Sequence, residues 1–300
     1  MKIVVTGSLG SISKPLIDQL IEAGHEVVVV SRNENKEKDI EAMGARAAIG
    51  TLEDLSFLTH TFTGADAVYL MEPPGDYSNP DFDPVVAVEE IVNNYVQAVL
   101  LSKVKHLVHL SSIGAHTNKE NGILTMHYNA EKILNKLPQD INILFMRAVG
   151  FYYNLQTFIP GIKNKGVIEA NYGEGIRIPW VSPYDIAVVI GNEIVKDFKG
   201  RKIHYIASDE RNTDEIATIL GNAIGKPDLK WEIVSDEQFL NNLLSTGMNL
   251  KAAKGFTEMY MGARSGIIYE HYNKSRPELR DTKLEDYAKE FAAIYHKNES

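Results

Sequence analysis

Cysteine is absent from the 300-residue sequence. Its absence excludes disulfide bonds, thiolate metal sites and a cysteine nucleophile. The nine histidines form no His-Glu-x-x-His pattern, and His106 and His109 stand three residues apart in a predicted strand, where they face opposite sides. We therefore expect no metal site built on histidine.

An excess of basic charge is also missing, since 31 Lys and Arg stand against 40 Asp and Glu, a net charge of −9. This balance disfavours a nucleic-acid binder, because phosphate contacts need a basic surface. No apolar run approaches the roughly 20 residues that a membrane helix requires. The chain opens at Met1 without the architecture of a signal peptide. The sequence thus predicts a cytoplasmic protein that binds neither nucleic acid nor membrane.

The first half of the sequence alternates between strand and helix patterns. The valines before Ser31 run without alternation, as a strand buried on both faces requires. Strands separated by helices force right-handed parallel crossovers, so we predict an α/β fold of the Rossmann type with a doubly wound parallel sheet. The predicted strands are 2–6, 25–30, 45–49, 67–70, 106–110 and 141–146, and the predicted helices are 12–23, 36–43, 52–61, 85–101 and 124–137.

The regular alternation ends near Val149, which predicts two parts. We assign 1–155 to a dinucleotide-binding domain and 156–300 to a smaller α/β substrate lobe, with 176–196 packing back on the first domain. The segment 73–84 carries four prolines and three aspartates after the fourth strand. Ligands bind at that end of such sheets, so this loop is either a lid or a plain solvated connection.

The turn after the first predicted strand, Thr6-Gly-Ser-Leu-Gly-Ser-Ile-Ser13, has the strongest chemical signal. Glycine lets the chain turn tightly and lets a pyrophosphate approach the backbone, while free N–H groups and the helix dipole face its negative charge. The spacing is GxxGxxS, so Ser13 stands where a third glycine usually allows helix and strand to pack closely. The position of this turn at the first β–α junction predicts a dinucleotide site. The alternative is a degenerate fold that binds no cofactor.

The end of the second predicted strand, Val30-Ser-Arg-Asn33, has no carboxylate for the 2′-hydroxyl of NAD. Arg32 is instead suited to pair with the 2′-phosphate of NADP. Glu34 nearby weakens this interpretation, and a solvent-facing arginine is the alternative. We predict that NADP(H) is preferred over NAD(H).

These two motifs and five others resemble those of NmrA-like proteins, atypical members of the short-chain dehydrogenase/reductase superfamily that include NADPH-dependent quinone reductases and NADP(H)-sensing regulators. The segments are 5–10, 30–33, 67–74, 109–112, 127–131, 146–154 and 181–187. Relatives usually have aspartate in place of Thr51. The resemblance implies pyrophosphate contacts from Gly7, Ser8, Leu9, Gly10, Ser11 and Ile12, a ribose-phosphate contact from Arg32, adenine contacts from Thr51 and Leu52, ribose and nicotinamide contacts from Met71, Glu72, Pro73 and Ser111, and a substrate side at Phe151 and Asn154.

Tyr128 and Lys132 have the spacing of the Tyr-x-x-x-Lys acid and its partner in ordinary short-chain dehydrogenases. The helical phase places both opposite the apolar residues of this helix, toward solvent, so this dyad is the alternative assignment. When this helix is aligned with that of the family, His127 falls at the position of the lysine and Ile123 at the position of the tyrosine. His127 is therefore the preferred candidate, as a contact to the nicotinamide ribose or as a proton donor titrating near neutrality.

Three functions are compatible with this sequence. The first is an NADPH-dependent reductase of a quinone-like or small carbonyl substrate, in which hydride passes directly from the cofactor and no strong acid is needed. The second is a non-catalytic NADP(H) sensor with a regulatory protein partner. The third is a nucleotide-sugar epimerase or dehydratase, which depends on the Tyr–Lys pair. A homodimer is compatible with each of them.

Overall fold

In the first half of the chain each buried strand is followed by a helix. The computed structural model describes residues 1–297. Every strand and helix predicted in this half is present, with ends shifted by at most three residues. The strands are β1 (Lys2–Val5), β2 (Glu26–Ser31), β3 (Arg46–Ile49), β4 (Ala67–Leu70), β5 (His106–Ser112) and β6 (Asn142–Ala148), and the helices are α1 (Ser13–Glu22), α2 (Glu37–Ala42), α3 (Leu55–Phe62), α4 (Pro84–Ser102) and α5 (Thr125–Leu134).

The second half has shorter strands and a larger share of helix. Short 3-10 turns lie at Gly122–Leu124 and Tyr152–Phe158. The strands are β7 (Gly150–Phe151), β8 (Val167–Ala170), β9 (Ile178–Val181), β10 (Arg201–Ile206), β11 (Asp209–Arg211) and β12 (Lys230–Ile233), and the helices are α6 (Ile159–Lys165), α7 (Pro183–Ile194), α8 (Thr213–Ala223), α9 (Asp236–Ser245), α10 (Leu250–Ser265), α11 (Glu270–Lys274) and α12 (Leu284–Lys297).

Seven parallel strands form the central sheet, in the order β10-β6-β5-β4-β1-β2-β3. The strand order reverses between β1 and β4, and such a switch point opens the crevice in which doubly wound sheets bind ligands. The predicted fold class is confirmed. The seventh strand, β10, comes from beyond the predicted boundary at 155/156. Two small sheets, β11-β9-β7 and β12-β8, complete the fold.

The valines of β2 explain why the sheet is covered on both sides. All four are buried, and they point alternately to two separate apolar cores. Val27 and Val29 belong to the core beneath α1 and α7, whereas Val28 and Val30 belong to the core beneath α3, α4 and α5. Helix α7 returns to the first half of the chain, because its Gly191 leaves room for the side chain of Gln19 on α1.

Helix α10 was not predicted from the sequence. It contains Gly255 and Gly262, and each glycine inside a helix costs about 1 kcal/mol relative to alanine, which weakens the helical pattern. The structure shows why glycine stands there. A Cβ atom on Gly262 would overlap the backbone of Glu120, and one on Gly255 would lie 3.2 Å from Cβ of Ile123. Within residues 1–297, α10 and the other helices include none that is long and apolar enough to cross a bilayer.

Candidate functional site

The turn between β1 and α1 offers backbone donors. The amides of Ser8, Leu9, Ser11 and Ile12 donate no hydrogen bond to any other group in residues 1–297. Gly10 and Ser11 are exposed at the start of α1, where the helix dipole carries its positive end. Free amides at a helix start are the donors that a pyrophosphate requires, so these residues fit a dinucleotide.

Packing fixes the shape of this turn. A Cβ atom on Gly7 would overlap Oγ of Ser13 and would lie 3.1 Å from Sδ of Met71. Ser13, which replaces the usual third glycine, therefore fills the space that Gly7 leaves. Ser8 takes a left-handed backbone conformation with φ of 50°, and its hydroxyl donates to Oγ of Ser31 at 3.0 Å. The turn is thereby fastened to the carboxyl end of β2.

A second set of bonds joins the turn to the end of β4. The amide of Met71 donates to Oγ1 of Thr6 at 3.0 Å, and the hydroxyl of Tyr95 donates to the carbonyl of Met71 at 2.7 Å. Both Thr6 and Tyr95 are buried. The chain therefore leaves β4 in a fixed direction, with Glu72 turned inward and Pro73 exposed.

Three candidate adenosine residues follow β2 and β3. Arg32 is exposed, and its guanidinium has no ion pair or hydrogen bond within residues 1–297, including with Glu34. Thr51 is exposed beside the buried Leu52, whose carbonyl accepts a bond from Asn94 at 3.2 Å. The guanidinium of Arg32 is thus free to meet an anion at the edge of the crevice.

A buried ion pair joins Glu72, just after β4, to His109 in the middle of β5. Nε2 of His109 is 3.1 Å from Oε1 and 3.2 Å from Oε2 of Glu72, and the two side chains are 0% and 3% exposed. Burial by itself lowers the pKa of His109, but the Glu72 carboxylate outweighs it and raises that pKa above its ordinary value. The pair thus holds a proton beneath the site where the resemblance implies nicotinamide.

Ser111 belongs to a second buried network on the same face of the sheet. Its hydroxyl donates to Oε1 of Glu131 on α5, and the guanidinium of Arg147 on β6 holds the same carboxylate through Nε at 2.8 Å and Nη2 at 2.7 Å. Arg147 also donates to the hydroxyl of Tyr205 at 3.0 Å. A bidentate pair of this kind fixes the geometry of both partners. It anchors α5, and with it His127, against the sheet.

His127 lies on α5 between these two networks. The ring is half-buried, and its Nδ1 is buried without a hydrogen-bond partner. Burial lowers the pKa of His127 to about 4, with the charges of Glu72 and Glu131 opposing the shift and His109 adding to it. The expectation that this ring titrates near neutrality is therefore wrong, because the desolvated imidazole stays neutral. A neutral ring still donates one N–H and accepts at its other nitrogen.

The alternative dyad lies on the outer part of α5. Lys132 is exposed, and its Nζ is 5.9 Å from the centre of the Tyr128 ring. Ile123, which the family resemblance puts at the tyrosine position, is buried against Gly255 of α10. His127 thus lies within electrostatic reach of Glu72, whereas Lys132 is exposed to solvent.

Aromatic side chains surround the candidate substrate residues. Phe151 and Asn154 are half-buried after β6, and the Phe151 ring lies 5.1 Å from that of the exposed Tyr153. Burial raises the pKa of Tyr153 to about 12, and Tyr77 adds to the shift, so the Tyr153 hydroxyl stays protonated. Tyr77 belongs to the loop after β4. Two separate segments therefore present phenol rings on this side of the site.

A family profile identifies the chain. The profile of the NmrA-like family matches residues 1–287. The chain belongs to the NmrA-like family. It is 24% identical over 259 residues to an NAD(P)H azoreductase from Xenophilus azovorans, with 86% of each chain covered.

Two solved structures share this NmrA-like fold. An NADPH-dependent quinone oxidoreductase from Escherichia coli superimposes with a TM-score of 0.77 at 19% identity, over 96% of this chain and 98% of that one. A nucleoside-diphosphate-sugar epimerase from Staphylococcus aureus gives 0.76 at 20% identity, over 96% and 100%. At these identities the likeness shows the fold alone.

Sequence reasoning missed several parts of this NmrA-like site. The Glu72–His109 pair was not predicted. A signal was present, because His109 lies two residues before Ser111 in β5 and therefore points to the same face of the sheet. The Glu131–Arg147 pair joins a helix to a strand and has no local signal. No group of three or more metal-binding side chains occurs in residues 1–297.

Proposed function

We propose that the protein is an NADPH-dependent reductase that transfers hydride to a quinone-like or small carbonyl acceptor. The observation that carries this proposal is the set of unused donors along the crevice, formed by the free amides of Ser8, Leu9, Ser11 and Ile12 and the unpaired Arg32. The azoreductase relative, with 86% of each chain aligned, supports a reductive reaction with a nicotinamide cofactor.

Each group of residues has a separate task in this proposal. The turn of 7–12 binds the pyrophosphate, and Arg32 pairs with the 2′-phosphate and thereby selects NADPH over NADH. Thr51 and Leu52 border the adenine, and Met71, Glu72, Pro73 and Ser111 border the ribose and nicotinamide. The bound cofactor supplies the hydride.

His127 acts in this proposal as a neutral hydrogen-bonding group. Its pKa of about 4 leaves no imidazolium for acid catalysis at neutral pH, so it holds a ribose hydroxyl or an acceptor oxygen in place. Phe151 and Asn154 border the acceptor. A quinone suits such a site, because hydride transfer between two oriented rings needs no strong buried acid.

A non-catalytic NADP(H) sensor is the second candidate. The observation that favours it is the combination of a neutral His127 with Ile123 at the tyrosine position. Such a protein binds the cofactor without turning it over, and it passes the signal to a protein partner. An epimerase or dehydratase is disfavoured, because its reaction depends on the Tyr–Lys pair and Lys132 is exposed on α5.

Turnover separates these candidates. The purified protein is mixed with NADPH and a panel of quinones, azo dyes and small carbonyl compounds, and the loss of NADPH absorbance is followed. Stoichiometric loss of NADPH and acceptor supports the reductase. Tight cofactor binding without turnover of any acceptor contradicts the reductase and favours the sensor, and conversion of a nucleotide sugar without net loss of NADPH favours the epimerase.

A further inference from the structure

Helix α10 contacts the segments on both sides of the candidate nicotinamide site. Its glycine face lies against 120–123, just before α5, where the side chain of Ile123 is buried. Its first turn meets the loop 74–83, which continues directly from Glu72 and Pro73. One helix of the second half therefore sets the position of two walls of the site.

Asn249, the N-cap of α10, makes the contacts to the loop. Its Oδ1 accepts from the amide of Ala252 at 2.9 Å, which caps the helix. The remaining donors bind loop carbonyls: its backbone amide donates to Tyr77 at 2.7 Å, and Nδ2 donates to Asn79 at 2.8 Å and to Phe82 at 3.1 Å. Asn249 is only 8% exposed, so water competes poorly for these bonds.

The loop presents an aromatic ring because of this attachment. The Tyr77 ring packs edge-on against Phe82 of the loop at 5.8 Å and against Phe256 of α10 at 5.6 Å. Gly75 leaves room for the Phe82 ring, since a Cβ atom there would overlap it. Tyr77 also interacts electrostatically with the hydroxyl of Tyr153. The loop thus faces the segment that carries Phe151.

We infer that Asn249 is a positioning residue for the acceptor site, which it shapes by holding the loop 74–83, and with it the ring of Tyr77, in a fixed place. This inference rests on the proposed reductase function. The rings of Tyr77, Phe151 and Tyr153 give this side of the proposed site an aromatic character that suits a flat aromatic acceptor, because aromatic rings favour offset or edge-on contacts with one another. Release of the loop removes one wall of the proposed acceptor site and leaves the cofactor turn at β1 untouched.

Asn249→Ser tests the inference. Serine caps helices about as well as asparagine, so α10 is retained while the two Nδ2 bonds are lost. We expect the KM for a flat quinone to rise about tenfold, since two neutral hydrogen bonds together contribute on the order of 1.4 kcal/mol. The kcat and the Kd for NADPH are expected to change less than about twofold. Asn249→Asp keeps the cap and turns a carboxylate oxygen toward the loop carbonyls, so its effect on KM is expected to be larger.

A matched control is Asn212→Ser at the N-cap of α8, where the side chain caps Glu215 and holds no loop. Chymotrypsin supplies a readout that does not require turnover. It cleaves after aromatic residues, and we expect faster cleavage after Tyr77 and Phe82 in the Asn249 variants than in the wild type or the control.

The outcomes separate the inference from the proposed function. An unchanged quinone KM in an active Asn249→Ser protein contradicts the positioning role, and so does unchanged cleavage of the loop. Equal effects of Asn212→Ser also contradict it, because they show a general loss of stability. A wild-type protein that binds NADPH but reduces no acceptor contradicts the proposed function, whereas the cleavage rates still test the attachment of the loop.

Discussion

Nε2 of His109 lies 3.1 Å from a carboxylate oxygen of Glu72, and both side chains are closed to solvent. The family resemblance puts His127 at the lysine position of ordinary short-chain dehydrogenases, and burial lowers the pKa of this ring to about 4, so it is neutral. The charged groups near this ring include the buried pair of His109 and Glu72, which is neutral overall while both groups are ionised.

The pH dependence of stability tests this pair. We expect Glu72→Gln to destabilise the protein more at about pH 5.5 than at about pH 9. The pKa of His109 is raised, so the stabilisation is complete below about pH 6.5 and is lost as the pH rises through the raised pKa. Breaking a buried pair costs about 3 kcal/mol while the histidine is charged. Urea unfolding at both pH values measures the difference.

The exposed Glu90 on α4 supplies the control for that substitution. Glu90→Gln is expected to change the free energy of unfolding by less than about 0.5 kcal/mol at either pH. Equal destabilisation by Glu72→Gln at both pH values would show that His109 is not charged in the folded protein.

A second prediction concerns Arg32 and the choice of cofactor. We expect Arg32→Ala to weaken NADPH binding by about 10- to 100-fold, the value of one charge-assisted contact, and to leave NADH binding almost unchanged. Titration of cofactor fluorescence measures both constants. Arg46→Ala, an exposed arginine at the opposite end of β3, is the control. Equal losses for the two cofactors would mean that Arg32 does not contact the 2′-phosphate.

The two glycines of the cofactor turn are expected to respond differently to substitution. A Cβ atom on Gly10 lies 3.2 Å from the carbonyl of Gly7 and otherwise in open space, so Gly10→Val keeps the fold and obstructs the pyrophosphate. A Cβ atom on Gly7 overlaps Ser13, so Gly7→Ala lowers the free energy of unfolding by about 1–3 kcal/mol. Thermal unfolding and NADPH titration of both variants check the contrast. Normal NADPH affinity in Gly10→Val contradicts the site.

His127 and Tyr128 are expected to differ in their effect on turnover. His127→Ala is expected to reduce any reductase activity by roughly 10- to 100-fold, the effect of one lost buried hydrogen bond, whereas Tyr128→Phe leaves it largely intact, because the ring lies beside the exposed Lys132. Steady-state rates with NADPH and a quinone measure both. The reverse pattern would restore the Tyr–Lys mechanism.

His127 also gives a pH signature that does not depend on turnover. Its pKa is lowered to about 4, so its contribution to stability is complete above about pH 6.5 and is lost as the pH falls toward 4. The loss amounts to about 3 kcal/mol at most. We expect His127→Gln to be destabilised less than the wild type over that interval in urea unfolding. A parallel acid profile for both proteins contradicts the buried neutral ring.

The central sheet could be predicted because its signals are local. Buried parallel strands such as Val27–Val30 are continuous apolar runs, and the glycine turn follows β1 directly. Helix α10 could not be predicted in the same way, because Gly255 and Gly262 serve contacts with 120–123 that only the folded chain reveals.

The chemistry of the site was predictable only in part. The phase of α5 separated His127 from Lys132 on the sequence alone, since it depends on neighbouring residues of one helix. The charge state of His127 was not predictable, because it depends on burial beside Glu72 and His109, which reach the site from other strands.

Parallel titration of the wild-type protein with NADPH and NADH, followed by cofactor fluorescence, tests the central claim most directly. The free amides of Ser8, Leu9, Ser11 and Ile12 and the unpaired Arg32 predict binding of both, with NADPH bound about 10- to 100-fold more tightly. Failure to bind either cofactor would contradict the claim, since Ser13 and Thr51 would then mark a degenerate site, and both the reductase and the sensor would be excluded.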